Sequence, residues 1–341
     1  MPPSTTDCEL RTKSAFCVAL ATVGTMLILG ALRIPHSYMG LVFSATLSVM
    51  PKPSLEHFLL RIVAVSFGTV TSVLLLVIFP EEPWFYIPLL GVISAYGYAF
   101  FLARWGPGSA CAFSFYFLAI HVSSIAGHFT YSVALLALNF WAQAVIAIIM
   151  TYIAACLTKK KATVEPSPKL PLSSIVTIGI AVSIAGLIDA SIRTDQGGRL
   201  IMATISTITI LETTQLITPL IDKFIGYLIG IVVAASFIVI TIAAGNDFGV
   251  YLLFLGITFG SLEWLACYYL PKATIYRSIA MMISFCVLML PAPDTSLHIP
   301  YQRALVSLAG FFIAIIAFVI GRECKKITLL PTHLKKRNSQ G

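Results

Sequence analysis

The chain has 341 residues, of which 58% are hydrophobic and 11% charged, and its formal net charge is +8. A soluble domain carries roughly 25% charged residues and could not bury this much apolar surface, so the composition predicts a polytopic membrane protein. The basic residues cluster in short loops and near the C-terminus, which is typical of membrane topology and argues against a nucleic-acid partner.

Apolar segments bounded by proline and glycine predict an all-α chain of about twelve transmembrane helices, six on each side of a polar linker. In the first half the predicted segments are 14–34, 38–50, 56–79, 84–103, 109–126 and 131–157. In the second half they are 172–192, 199–211, 219–243, 248–269, 275–291 and 302–321. A crossing helix needs about 20 residues, so it stays open whether 38–50 and 199–211 span fully.

The predicted organisation is two membrane halves, residues 1–157 and 172–324, with a linker at 158–171 and a basic tail at 325–341. With twelve crossings, all but four of the 22 basic residues fall on the side that carries both termini. The positive-inside rule then places the termini, linker and tail in the cytoplasm, and we expect a multi-pass protein of the bacterial inner membrane.

The second half reads as a copy of the first, shifted by about 160 residues. The matched pairs are Arg33 with Arg193, Ser44 with Thr204, Thr46 with Ser206, Arg61 with Lys223, Gly68 with Gly230, Tyr86 with Tyr251, Gly91 with Gly256 and His128 with His298. Halves of six helices share one orientation, so they would be related by an axis along the membrane normal, with a binding site or pore between them. The alternative is chance similarity between apolar helices.

Three candidate anion-binding cations, Arg61, Lys223 and Arg303, each precede a glycine by seven residues. Seven residues are two helical turns, so cation and glycine share a face. Glycine lets a neighbouring backbone approach, so this face and its charge are expected to point into protein. The alternative is that the cations reach out to the membrane interface. Two further cations, Arg33 and Arg193, would line the outer exit of an anion path or else anchor helix ends.

Two acidic residues at membrane depth, Glu263 and Asp189, are candidates for proton coupling because intramembrane carboxylates often mark ion relays. Asp189 lies four residues before Arg193, so an ion pair on one helix is the alternative there. For Glu263 the alternative is a pair with Arg277.

Thr204 and Ser206 lie on an unusually polar helix. Their hydroxyl groups would hydrogen-bond a substrate carboxylate in a cavity, or else serve helix packing. The sequence contains no familiar catalytic motif, and its histidines and cysteines are not clustered. We therefore expect no enzyme activity, no cofactor and no metal.

One local pattern adds to this architecture. It runs Met50-Pro51-Lys52-Pro53-Ser54, then Arg61, then Gly68-Thr69, with Lys223-Phe224-Ile225-Gly226 and Gly230 as its counterpart in the second half. Together they resemble the fusaric acid resistance and aromatic acid exporter superfamily, which is related to the aluminium-activated malate transporters. The resemblance implies export of organic, often aromatic, carboxylates, commonly with a periplasmic adaptor protein.

The predicted function is export of small organic anions along a path between the two halves. A monoanion leaving a cell that is negative inside gains roughly 2.3 kcal/mol per 100 mV, so export need not be coupled to another ion, although Glu263 or Asp189 could link it to protons. A passive organic-anion channel and a non-transporting structural subunit are the alternatives. The expected partners are the anion, membrane lipid, the adaptor and a further copy of the chain.

Overall fold

In the computed structural model of the chain, the residues described are 5–34, 38–79, 83–125, 133–160, 168–192, 199–214, 218–286 and 298–337. Over these ranges the chain forms eleven α-helices and one short 3-10 turn, with no strand. The helices are α1 (Thr5–Ala31), α2 (Tyr38–Ser48), α3 (Leu55–Ile78), α4 (Pro83–Ile125), α5 (Val133–Leu157), α6 (Leu172–Ile192), α7 (Arg199–Thr214), α8 (Thr218–Ala243), α9 (Phe248–Tyr268), α10 (Ala273–Cys286) and α11 (His298–Arg337).

Eight of these helices contain a stretch that is long and apolar enough to cross a membrane. The remaining three are α2, α7 and α10, and the first two correspond to the short predicted segments. The described chain is therefore all-helical and has the composition of a multi-pass membrane protein, as predicted. The last helix is longer than expected, because α11 continues through residues that the sequence analysis assigned to the basic tail.

α4 breaks at Gly106, whose φ of 82° and ψ of 176° are not helical and favour glycine. Beyond the break the chain doubles back, since the ring of Phe113 stacks on Phe101 at 4.8 Å and also lies against Gly97. In an unbroken helix the sixteen residues from Gly97 to Phe113 would span about 24 Å. The segments predicted at 84–103 and 109–126 are thus two antiparallel arms of one broken helix.

The glycines that follow the three candidate cations allow close helix packing. A Cβ added at Gly68 would lie 2.9 Å from the carbonyl oxygen of Phe113, and one at Gly230 would lie 3.1 Å from that of Ile279. At Gly310 a carbonyl oxygen of α7 would be 2.4 Å away. Such distances leave little or no room for a side chain, so the prediction that these glycine faces point into protein is confirmed.

α2 is held at its C-terminal end by Lys160, which follows α5. The Lys160 Nζ donates to the carbonyl oxygens of Ser48 at 2.8 Å and Met50 at 3.0 Å. The last carbonyls of a helix lack partners within the helix, and a cation there is favourable. This contact helps to fix the position of α2, which is too short to cross the membrane.

Candidate functional site

Among the residues that the structure describes, two neighbouring cavities between the helices share the lining residues Thr46 and Met281. The hydroxyl cavity has a volume of about 80 Å³ and is lined by Phe43, Thr46, Tyr98, Cys111, Ser114, Phe115, Met202, Ile205, Ser206, Thr209 and Met281. The ion-pair cavity has a volume of about 140 Å³ and is lined by Val18, Val42, Ala45, Thr46, Val49, Phe259, Leu262, Glu263, Tyr276, Arg277, Ala280 and Met281. The shared residues make the two cavities neighbours.

Aromatic rings and hydroxyl groups together form the wall of the hydroxyl cavity. The rings of Phe43 and Phe115 stack with centroids 5.7 Å apart. Thr46 and Ser206 each donate a hydrogen bond to a backbone carbonyl on their own helix. The buried hydroxyl of Ser114 has no hydrogen-bond partner among the described residues. A buried polar atom without a partner is costly, so this wall favours a ligand or water that supplies one.

Lys223 of α8 contacts Ser206 but is not itself among the residues that line the hydroxyl cavity. It is only 2% exposed, and its Nζ donates to the Ser206 carbonyl at 2.9 Å and to the Ser206 Oγ at 3.2 Å. The ammonium also lies 5.5 Å from the ring centroid of Tyr227. The prediction that this cation points into protein is confirmed, and the structure brings together two predicted site residues from different helices.

Arg61 of α3 is equally buried, at 2% exposure. Its guanidinium lies at the turn between the two arms of α4, where a Cβ on Gly108 would come within 2.4 Å of the Arg61 Nε. The prediction that Arg61 points into protein is therefore confirmed as well. Its place at the turn is suited to supporting α4, and it does not line either of the two cavities.

Outside α9, the other predicted residues that the structure describes do not line either cavity. Thr204 donates to a carbonyl of its own helix and to one of α11 at 3.0 Å. Its hydroxyl group therefore serves helix packing, the alternative role that the sequence analysis gave it. Arg303 is half-buried on α11, and Asp189 is buried on α6. Arg33 is exposed at the end of α1, with a φ of 52°. Arg193 lies outside the described residues, so its pairing with Arg33 or Asp189 stays a prediction.

Glu263 of α9 forms an ion pair with Arg277 of α10 at the wall of the ion-pair cavity, so the pairing alternative is confirmed. The Arg277 Nε donates to Glu263 Oε2 at 3.1 Å, and its Nη2 donates to Oε1 at 3.0 Å. The Oε1 atom also accepts from Ser14 of α1 at 3.1 Å and from the Cys267 thiol at 3.3 Å. The Glu263 side chain is 2% exposed and that of Arg277 is 43% exposed.

Arg277 is the functional candidate that the sequence analysis did not select. Its only signal in the sequence is a cation in an otherwise apolar helix, which an anchoring residue would also give. Within the described part of the chain, no three His, Cys, Asp or Glu side chains lie close enough to hold a metal ion. No protein-family model, curated protein or solved structure matches this chain.

Proposed function

We propose that the chain transports small organic, often aromatic, carboxylate anions along a path through the two cavities. The observation that carries this proposal is the ion-pair cavity: an apolar space with a buried carboxylate, Glu263, paired to the partly exposed guanidinium of Arg277 in its wall, next to a second cavity lined by hydroxyl groups. An apolar pocket with a few polar groups is the usual form of a small-molecule site. A guanidinium recognises carboxylate groups through two parallel hydrogen bonds.

The size of the ion-pair cavity favours a single aromatic ring. Its volume of about 140 Å³ is close to that of an engineered cavity of about 150 Å³ in another protein, which binds benzene. The ring of Phe259 and the aliphatic side chains of Val18 and Leu262 supply apolar contacts. Arg277 would then face the carboxylate of the same ligand.

The proposed path lies between two halves related by a twofold axis. Reciprocal contacts support this relation: a Cβ at Gly179 would lie 3.5 Å from the Cβ of Ala95, and one at Gly260 would lie 3.3 Å from the Cβ of Ala19. Gly179 follows Ala19 by 160 residues, and Gly260 follows Ala95 by 165. α6 therefore packs on α4 as α1 packs on α9.

A second set of contacts repeats the relation one helical turn away. A Cβ at Gly91 would collide with the Ser183 side chain, and one at Gly256 would lie 3.0 Å from Val23. The sequence offsets are again 165 residues from Gly91 to Gly256 and 160 from Val23 to Ser183. Chance similarity between two apolar sequences would not place the matched residues in equivalent contacts. These contacts therefore favour a repeat over chance similarity.

The hydroxyl cavity lies where such an axis would pass. Thr46 and Ser206 are 160 residues apart and occupy equivalent positions on α2 and α7, yet both line this one cavity. A site shared by equivalent residues of two halves is where transporters built from repeats bind substrate. Lys223, which hydrogen-bonds to Ser206, adds positive charge that offsets the cost of removing an anion from water.

The proposed setting follows the sequence analysis. The distribution of basic residues supports a bacterial inner membrane with both termini in the cytoplasm. The resemblance to aromatic acid exporters supports the substrate class and the outward direction, with a periplasmic adaptor as partner. The membrane, the direction of transport and the adaptor do not depend on the geometry of the cavities. If they prove wrong, the proposal that the cavities bind an organic anion still stands.

The test is flux of labelled 4-hydroxybenzoate from liposomes that contain the purified full-length protein. We expect saturable release above that of empty liposomes. Release no faster than from empty liposomes, for this acid and for short-chain carboxylates, would contradict the proposal and favour a structural subunit. Single-channel currents in planar bilayers would instead identify a passive channel.

A further inference from the structure

In the wall of the ion-pair cavity, the Arg277 guanidinium is already bound to a carboxylate of the protein, that of Glu263. The Arg277 guanidinium donates two hydrogen bonds to Glu263, whose side chain is 2% exposed. A substrate carboxylate that binds the Nε–Nη2 edge of the guanidinium through two parallel hydrogen bonds would need the same donors. The resident carboxylate and the substrate therefore compete for one guanidinium.

The geometry points to an exchange: the substrate carboxylate replaces Glu263 on Arg277, and Glu263 takes up one proton from water as it is released. This inference rests on the proposed function and deepens it, because it assigns Arg277 as the substrate-binding residue and Glu263 as its proton-linked competitor. The balance is one anion and one proton bound, with the guanidinium charged throughout. When the anion leaves, Glu263 returns to Arg277 and loses the proton.

Burial is the reason that Glu263 cannot stay ionised after the exchange. Its surroundings include Phe259, Leu262 and Val18, and a buried carboxylate without its cation is strongly destabilised. A neutral carboxyl group can keep the hydrogen bond from Ser14 and has an O–H to donate. The protonated state is therefore the one compatible with a bound anion.

The charged and titratable groups around Glu263 come from several helices. Cys267 lies on α9 and Arg277 on α10, while Cys17 of α1 and Lys160 after α5 are near enough to interact with it electrostatically. Lys160 already donates to the carbonyl groups at the end of α2. Arg277 is thus the cation that contacts Glu263 directly.

The fold itself does not require an ion pair at this place. Tyr98 precedes Glu263 by 165 residues, the offset that the matched contacts give between α4 and α9, and Cys111 precedes Arg277 by 166, one residue more. Tyr98 and Cys111 also lie near each other, on the two arms of α4. The first half therefore makes the equivalent contact with two neutral side chains. The fold therefore does not account for the charges of Glu263 and Arg277, which leaves a functional role as the explanation.

The test is calorimetric binding of 4-hydroxybenzoate to the purified full-length protein, in two buffers with different heats of ionisation. The difference gives the number of protons taken up per anion. We expect about one proton for the wild type and none for Glu263→Gln, which should bind the anion at least about tenfold more tightly near neutral pH because the competitor is neutral. Arg277→Gln should weaken binding by about tenfold or more.

The matched control is Glu9→Gln, which removes an exposed carboxylate paired with Lys13 on α1 and should keep the wild-type proton count. A wild-type count of zero overturns the exchange without any variant, and so does an unchanged count in Glu263→Gln. If liposomes containing the protein release the acid but no proton is taken up, the exchange fails and the transport function stands. If the wild type neither binds nor releases the acid, both fail.

Discussion

At the scale of single residues, the candidate path combines buried polar groups with one partly exposed charge, Arg277. Lys223 and Glu263 are buried, and each has a hydrogen-bond partner on another helix. Arg33 is the opposite case, an exposed cation at a helix end. A charge inside a membrane bundle is expensive unless it is paired, so its retention calls for a structural or functional reason.

Replacement of Ser206 by alanine tests the hydroxyl cavity. The variant removes an oxygen that faces the cavity and accepts from Lys223 at 3.2 Å. We expect the release of 4-hydroxybenzoate to fall by about tenfold, since a hydrogen bond to a charged group contributes about 1.5–3 kcal/mol.

The control is Ser236→Ala, which removes an exposed hydroxyl that donates to a carbonyl of its own helix, α8. It should leave the release unchanged. Equal rates for Ser206→Ala and the wild type would remove Ser206 from the path.

Sequence reasoning found the residues of the Lys223–Ser206 contact but not the contact itself. The glycine seven positions after Lys223 indicated its face, and the hydroxyl-rich helix indicated Ser206. Which helix meets that face depends on packing between α7 and α8, and helical periodicity carries no information about a partner. For Arg277 the sequence analysis did name the pair with Glu263 as an alternative, but it did not select Arg277 as a ligand-binding residue, because the cavity beside the pair depends on packing between helices.

At the scale of helices, α2 is the element on which both cavities depend, and it is too short to place itself. Its residues line the hydroxyl cavity and the ion-pair cavity, while its C-terminal end is held by Lys160. A shift of α2 would therefore change both cavities together.

Lys160→Met should lower the free energy of unfolding by about 1–3 kcal/mol, because it leaves two carbonyl groups without a charged donor. The measurement is the thermal unfolding of the purified protein in detergent. Lys169→Met is the control, since Lys169 is exposed in the linker. A melting temperature no lower than that of the control would show that Lys160 does not hold α2.

The turn inside α4 provides a second test at this scale. Gly108→Ala should destabilise the protein by about 1–3 kcal/mol, because the new methyl group would lie 2.4 Å from the buried Nε of Arg61. Gly249→Ala is the control: that glycine is exposed near the start of α9, and the nearest atom to its added Cβ is 3.1 Å away. Similar melting temperatures for the two variants would mean that Arg61 moves aside at little cost.

Helix bounds were predictable where the breakers are strong. Gly106-Pro107-Gly108 predicted the turn within α4, since only glycine adopts the φ of 82° there easily. The length of α11 was not predictable, because a hydropathy pattern reports the apolar part of a helix and not its polar continuation. Boundaries set by composition are therefore less certain than those set by backbone geometry.

At the scale of the whole molecule, the two halves are similar in packing and different in charge. The glycine contacts of α4 with α6 resemble those of α9 with α1. Under the proposed repeat, Glu263 and Arg277 have neutral counterparts in Tyr98 and Cys111. The sequence predicted a repeat from an ordered series of weak matches, and the proposed function depends on it. The difference in charge between the halves was not predicted from the sequence, because the counterparts of Glu263 and Arg277 can be chosen only when the contacts between helices are known.

This asymmetry predicts how the membrane potential acts on transport. A monoanion that crosses alone responds to voltage by roughly 2.3 kcal/mol per 100 mV, whereas an anion that crosses with one proton carries no net charge. In liposomes with an imposed potassium diffusion potential, wild-type release of 4-hydroxybenzoate should follow the pH gradient and be insensitive to voltage. Glu263→Gln should show the reverse, because its carboxamide cannot carry the proton. Wild-type release that follows voltage would mean that the proton does not travel with the anion.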